Sequence, residues 1–464
     1  MAITPSSSEF RILIVGGGIA GLATAIALRG PNRRILILEQ SALNREIGAT
    51  ISLQPNASKF VEKSWNLSSQ LRAKGSMVDK AFRICSVDGT EHKRVDLSAK
   101  LEYGGDRMLY HRQDLHDVLK SAATSAERDG LPAEILVKSR VVACNCEEGS
   151  VELEDGSVMD GFDLIVAADG IRSVIRRCVV GEEVSSVRTG QAAYRMMIDA
   201  SKVEGDEDIR KFLDPREAVT TMVMGHQNRL IMGPARNGEV FSIVAMVPDV
   251  SDPATETSWT TKGDLGDLLE AFKEFPDWCK RLFRYAPELG LWQLRDLDPL
   301  KSWTRGKVIL IGDAAHAMLP TQGQGASQAI EDAEAIGSFF EGISGKPSKI
   351  AVESGLKVRP CLQTECIDTD QSVKLIDETR RPRATQIQLL SRESAKPATE
   401  KGDKKIKISP DKYMDYCCTY NGAKAWREHQ KIVDGLQQLE GLAIRESQLP
   451  TDASPLTSVR QVAV

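Results

Sequence analysis

Four near-continuous apolar runs punctuate the chain: Phe10–Val15, Ile35–Leu38, Leu164–Ala168 and Val308–Ile311. Runs of four to six apolar residues without alternation predict strands buried on both faces of a parallel sheet. A helix with a small-residue face (Ala20, Ala23, Ala27, then Leu28) is predicted between the first two. Residues 186–250 instead alternate, as antiparallel strands do, over Ala192–Ile198, Val219–Met224 and Val240–Val247. Asp264–Tyr285 is amphipathic and broken at Pro276, with Leu268, Leu269, Phe272, Phe275 and Trp278 on its apolar side, and should close off that sheet. A further small-residue helix is predicted over Ser327–Phe340. Glu341–Ser372 then shows neither period. A structureless stretch of that length is unusual inside a compact domain, so it is expected to be a disordered insertion or retained intron sequence. Residues 391–412 read as a linker, 413–440 as helical, and the tail from 441 as disordered.

Composition narrows the class. The 464 residues suggest two or three domains. Lys+Arg 60 against Asp+Glu 65 gives no basic excess, which argues against nucleic acid as a partner. Ile12–Leu28 is uncharged but short for a membrane span and rich in glycine. The N-terminus MAITPSSSEF has no leader pattern. Nine cysteines without a C-x-x-C pair argue against a zinc ribbon and fit a reducing, cytoplasmic setting.

The first run leads into Gly16-Gly17-Gly18-Ile19-Ala20-Gly21, a G-x-G-x-x-G turn between strand and helix. Gly16 serves the tight turn, Gly18 lets a pyrophosphate approach the backbone, and Gly21 lets the helix press on the strand. The phosphates would face the free N–H groups of the helix N-terminus. Glu39 ends the second strand, 18 residues after Gly21, where a carboxylate accepts hydrogen bonds from a ribose and repels a 2′-phosphate. The first-bound dinucleotide should therefore be FAD or NAD.

Two later motifs extend the pattern: Asp169-Gly170-Ile171-Arg172-Ser173 after the third run, and Gly312-Asp313-Ala314-Ala315-His316 after the fourth, followed by Pro320-Thr321-Gln322-Gly323-Gln324-Gly325-Ala326. With these three motifs in this order the chain resembles the group A FAD-dependent aromatic monooxygenases, among them salicylate hydroxylase-like and fungal secondary-metabolite enzymes. The likeness covers about residues 9–340 and resumes near Glu378–Arg392. It implies an α/β fold: a Rossmann-type FAD-binding domain (9–78, 108–185, 295–340) and an inserted mixed-sheet substrate domain (79–107, 186–294), as in p-hydroxybenzoate hydroxylase. An atypical insertion (341–376), a C-terminal helical segment (377–440) and a tail (441–464) would follow.

The resemblance also implies roles. Asp313 would bind hydroxyls of the FAD ribityl or ribose, and Gly323, Gly325 and Ala326 would bring a helix N-terminus to the flavin pyrimidine edge. Gly48 and Ala49 would lie along the cofactor, and Arg112 would contact it or be a surface arginine. Asp169 reads either as a cofactor and nicotinamide ligand or as a turn carboxylate capping Arg172 and Ser173. For His316 a structural place in its turn is the better reading. Arg195 would hold a substrate phenolate or carboxylate, or be an exposed strand arginine. No tyrosine lies between Tyr194 and Tyr285, so His226 is the candidate for a second catalytic group, against a plain loop histidine. Met196, Met197, Met222, Met224, Met232 and Met246 suggest an adaptable pocket wall. The implied activity is NAD(P)H- and O2-dependent hydroxylation of a phenolic small molecule through a flavin C4a-hydroperoxide. Epoxidation of an isoprenoid alkene and a degenerate non-catalytic flavoprotein are the alternatives.

Overall fold

The computed structural model describes residues 9–43, 49–98, 100–250, 259–343, 369–395 and 410–430. Gly48, the segment 344–368 and the tail lie outside them.

The apolar runs form one six-stranded sheet in the order Thr304–Arg305, Val308–Leu310, Leu164–Ala167, Phe10–Val15, Arg33–Leu38, Glu134–Leu136. All pairs are parallel except the first, at the edge. Burial on both faces explains the missing alternation. Ile12, Ile14, Ile35, Ile37, Val166 and Ile309 face the core beneath helices Ile19–Leu28, Arg112–Thr124 and Gly325–Phe339. Leu13, Val15, Leu38, Ile165, Ala167 and Leu310 pack in a second cluster with Trp303 and helix Ile175–Val180. The small-residue faces predicted for two helices meet each other: a Cβ on Gly337 would lie 3.0 Å from Ala27.

A second sheet has eight strands, ordered Thr260–Lys262, Gly290–Asp296, Val187–Asp199, Val240–Pro248, Arg229–Ala235, Val219–Met224, Ala81–Ser86, Glu91–Asp96. Here period two holds. Tyr194, Met196, Ile198, Met232, Ile243 and Ala245 pack under helices Leu265–Ala271 and Asp277–Arg284, the amphipathic pair separated at Pro276. Ala193, Met246 and Leu294 turn the other way, with Ile231 and Val244, to meet Leu319 and Ala395.

The C-terminal region is helical where a helical segment was expected, over 377–395, and departs from the reading at both ends of that helix. A helix spans Thr369–Ala395, beginning inside the stretch read as aperiodic and continuing into the one read as linker. Its buried side contains Val373, Ile376, Ala384 and Ile387, but also Arg380, Arg383, Gln388 and Ser391. Polar residues on the inner face erase the hydrophobic period that would have announced it. A further helix covers Pro410–Cys418.

Candidate active site

Strand register brings the glycine-bearing turns to one edge. Val15 lies opposite both Leu38 and Ala167, and Ala167 opposite Leu310. Glu39, Gly16, Asp169 and the Gly312-Asp313 turn therefore leave the same, carboxyl edge of four adjacent strands. At ordinary strand spacing this row is roughly 14 Å long. A crevice at that edge is where doubly wound sheets bind dinucleotides.

The three glycines of the first turn do different things. A Cβ on Gly16 (φ +110°) would fall 2.2 Å from the Ala168 carbonyl oxygen, and one on Gly21 would fall 2.0 Å from that of Gly16. Both serve the chain's own packing. A Cβ on Gly18 would meet nothing within 4 Å. Its backbone fronts open space, a cradle that suits a pyrophosphate. Glu39 is aimed by the turn itself: its Oε2 accepts the Gly17 N–H at 2.8 Å and its Oε1 the Ser41 N–H at 2.7 Å.

Asp313 stands exposed at the start of the short helix Asp313–His316, beside buried Gly312. The Asp169 Oδ2 accepts N–H bonds from Val174 (2.9 Å) and Ile175 (3.3 Å), and Ser173, one of the pair named from sequence, also hydrogen-bonds the Asp169 side chain. Its buried Oδ1 has no partner, and burial raises the carboxyl pKa. Capping is thus observed. Arg112 opens its helix and donates its backbone N–H to the Ala49 carbonyl at 2.8 Å. Helix Gly325–Phe339 has no side-chain cap, so Gly325 and Ala326 begin it with free N–H groups. Gly323 leans on strand Thr50–Leu53, its Cβ position 3.3 Å from Ser52 Oγ and Gln54 Nε2.

Arg195 shares the sheet face of Ala193, Val244 and Ile231, the face that meets Leu319 ahead of the Gly323 turn. It is only partly exposed, and its Nε is shut from solvent with no hydrogen-bond partner among the described residues. Burial, reinforced by the charge of Arg112, pulls its pKa down to about 10. Two guanidinium groups, one from the sheet and one from the first turn of helix Arg112–Thr124, thus approach each other. Tyr194 points to the opposite face.

His226 is not brought to this place. It is exposed in the turn between Val219–Met224 and Arg229–Ala235. That turn is anchored by Asn228 on the Ala271 carbonyl and by Gly225 against Phe275, both on the far side of the sheet. Strand spacings put it roughly 20 Å from Arg195. The methionines divide as well: Met196 and Met232 belong to the opposite core, Met224 is exposed, and Met246 lies on the Arg195 face.

A group of buried charges behind the cofactor edge was not singled out from sequence. Asp332 Oδ2 accepts the Gly312 N–H at 2.9 Å and bonds His316 Nε2 at 2.6 Å, and Arg380 Nε reaches Asp332 Oδ1 at 3.0 Å. Arg383 binds Glu331 twice, at 2.7 and 2.8 Å, and Glu331 also accepts from Asn56. Burial alone would raise both carboxyls, but Arg383 and Arg380 hold Glu331 below its ordinary range, and His316 and Arg380 do so for Asp332. His316 is accordingly a buried structural partner. The sequence signal was an acid pair inside an apolar helix matched by arginines in a later one.

The family described as an FAD binding domain matches residues 9–341. Hispidin-3-hydroxylase from Neonothopanus nambi is 30% identical over 345 residues, 72% of this chain and 81% of that protein. 3-Hydroxybenzoate 6-hydroxylase 1 from Aquipseudomonas alcaligenes is 33% identical over 327 residues, 69% of this chain and 78% of that protein. A solved salicylate hydroxylase in a substrate complex superposes with a TM-score of 0.67 at 25% identity, covering 86% of this chain and 92% of that one.

Proposed function

The chain belongs to the FAD binding domain family of FAD-dependent monooxygenases, and from that premise we infer that it hydroxylates a phenolic aromatic small molecule held through Arg195. Gly18 and Glu39 would take the pyrophosphate and adenosine ribose, on the turn that Gly16 and Gly21 allow to close. Arg112, Asp169, Gly312 and Asp313 would take the ribityl side, with Ala49 along it, and Gly323, Gly325 and Ala326 the pyrimidine edge. When bound, the flavin, reduced by NAD(P)H and charged with O2, supplies an electrophilic oxygen.

The protein's own tasks follow from its residues. Arg195 stays protonated near neutral pH and donates charge-assisted hydrogen bonds that favour a phenolate or carboxylate over its neutral acid. A phenolate ring is the more electron-rich and the better acceptor of electrophilic oxygen. Ile231, Val244, Met246, Leu294 and Leu319 make the surrounding wall apolar and exclude water. The N–H groups opening helix Gly325–Phe339 present positive potential to negative charge arising at the cofactor edge.

One observation carries this reading: a half-buried cation with no acid partner among the described residues, on the sheet face that meets the Gly323 turn. An alkene epoxidase has no use for such a charge. The test is NAD(P)H-dependent O2 uptake by the yellow holoprotein against a panel of phenols, with Arg195→Met beside it. Losing the charged hydrogen bonds should lower kcat/KM for an accepted phenol roughly 100-fold. Unchanged turnover in Arg195→Met would refute the phenolate role. The seven free cysteines among the described residues suit a reducing compartment, and we place the enzyme in the cytoplasm. Among those residues no helix is long and apolar enough to cross a membrane.

A further inference from the structure

Arg195 has no acid partner among the described residues, but it has a ring. Its guanidinium carbon stands 5.0 Å from the centroid of Trp292. Strand register places Arg195 opposite Gly290 and Ala193 opposite Trp292. A Cβ at position 290 would lie 2.2 Å from the Trp292 ring. Only glycine lets the indole fold back along its own strand toward the guanidinium.

The choice of partner matters chemically. A guanidinium packs on a ring through its face and donates hydrogen bonds from its rim, so the two uses do not compete. A carboxylate partner would occupy two rim N–H groups and cancel the charge. Among the described residues Arg195 has no hydrogen-bond acceptor and no ion pair, and its charged neighbour is another arginine. The indole supports the side chain yet leaves its donors unspent.

Resting on the reading of Arg195 as the substrate's anchor, we propose that Trp292 is a positioning residue that makes the site selective for aromatic molecules bearing an oxyanion, carboxylate or phenolate, over neutral analogues of the same shape. Gly290 is the condition for that arrangement.

The test measures binding to the holoenzyme by the change in flavin absorption, using 3-hydroxybenzoate and 3-hydroxybenzamide as a charged and neutral pair. The native protein should prefer the anion at least about tenfold, and Trp292→Phe, which keeps a ring, should stay within about threefold of that ratio. Trp292→Leu should lower the ratio about fivefold or more, and Trp292→Glu, which offers the competing carboxylate, should bring it near one. Trp292→Leu and Trp292→Glu proteins that keep the native ratio overturn the proposal, as does a native ratio near one. Arg195→Met separates the two levels. If it abolishes the preference while the Trp292 variants retain it, the role of Trp292 falls and the anchor stands. If it leaves the preference intact, the anchor itself falls.

Discussion

At the scale of single residues, the first turn separates what the fold needs from what the ligand needs. Gly16 and Gly21 are required by neighbouring carbonyl oxygens of the chain itself, whereas Gly18 faces space and has an ordinary negative φ of −76°. Gly18→Ala should therefore fold as the native apoprotein does, with a melting temperature shifted by no more than about 2 °C, since a change near 0.5 kcal/mol moves a large domain little. Its FAD affinity should fall at least about tenfold, because the added methyl occupies the approach to the pyrophosphate. Apoprotein melting and fluorescence titration with FAD check the two halves independently. Unimpaired FAD binding would show that the cofactor does not use this cradle. Gly21→Ala should lose both properties together, because its Cβ has a protein atom 2.0 Å away. Glycine spacing made this turn recognisable in the sequence. The division of labour within it required the positions of Ala168 and Gly16.

Elements were legible where one face is apolar and obscure where charges are buried. The parallel strands, the G-x-G-x-x-G helix and the pair of helices split at Pro276 all follow from periodicity. Helix Thr369–Ala395 did not, because Arg380 and Arg383 occupy inward positions that a hydrophobic period reserves for aliphatics. For the same reason Arg195 was recognisable only by likeness, whereas His226, exposed in a turn, takes the plain loop place that was its alternative. The buried charges also link elements, and one link is sensitive to pH. Lys59, at the end of helix Pro55–Lys59, donates to the Tyr103 carbonyl and at 2.7 Å to Asn421 Oδ1, joining that helix to the C-terminal region. Burial pulls its ammonium down to about 8, against opposition from Glu331 and Cys418. A lysine whose native pKa lies below its unfolded value binds fewer protons when folded. Stability then rises with pH across the interval between the two, here from about 8 to 10.5, and is unaffected below it. The native protein should accordingly gain melting temperature relative to Lys59→Met as pH rises from about 8 to about 10. Comparing the pair cancels the alkaline losses they share, and parallel curves would remove Lys59 from the account.

For the whole molecule, the question is where the cofactor-binding body ends. The family match stops at residue 341, yet Glu331 and Asp332 are fully buried in the helix that faces the cofactor edge, and their cations come from Arg380 and Arg383. Removing the partners of buried charges costs about 3–5 kcal/mol for each pair broken, comparable to much of a domain's net stability. Asp332 also holds the Gly312 N–H, so the loss would reach the Gly312-Asp313 turn directly. A chain ending at residue 343 should therefore be insoluble or free of flavin. Excision of residues 344–368 should behave oppositely. Ser372 Oγ bonds the Phe339 carbonyl at 3.3 Å, so helix Thr369–Ala395 starts beside the end of Gly325–Phe339. A replacement of about six Gly and Ser residues can reach roughly 20 Å, ample to rejoin the two. Solubility and the flavin-to-protein absorbance ratio compare the two forms in one experiment. The excised protein should be yellow and the truncated one should not. A yellow, folded truncated chain would mean that Arg380 and Arg383 are dispensable and that the body ends where the family match does. A colourless excised chain would mean that residues 344–368 contribute to the cofactor site in their own right.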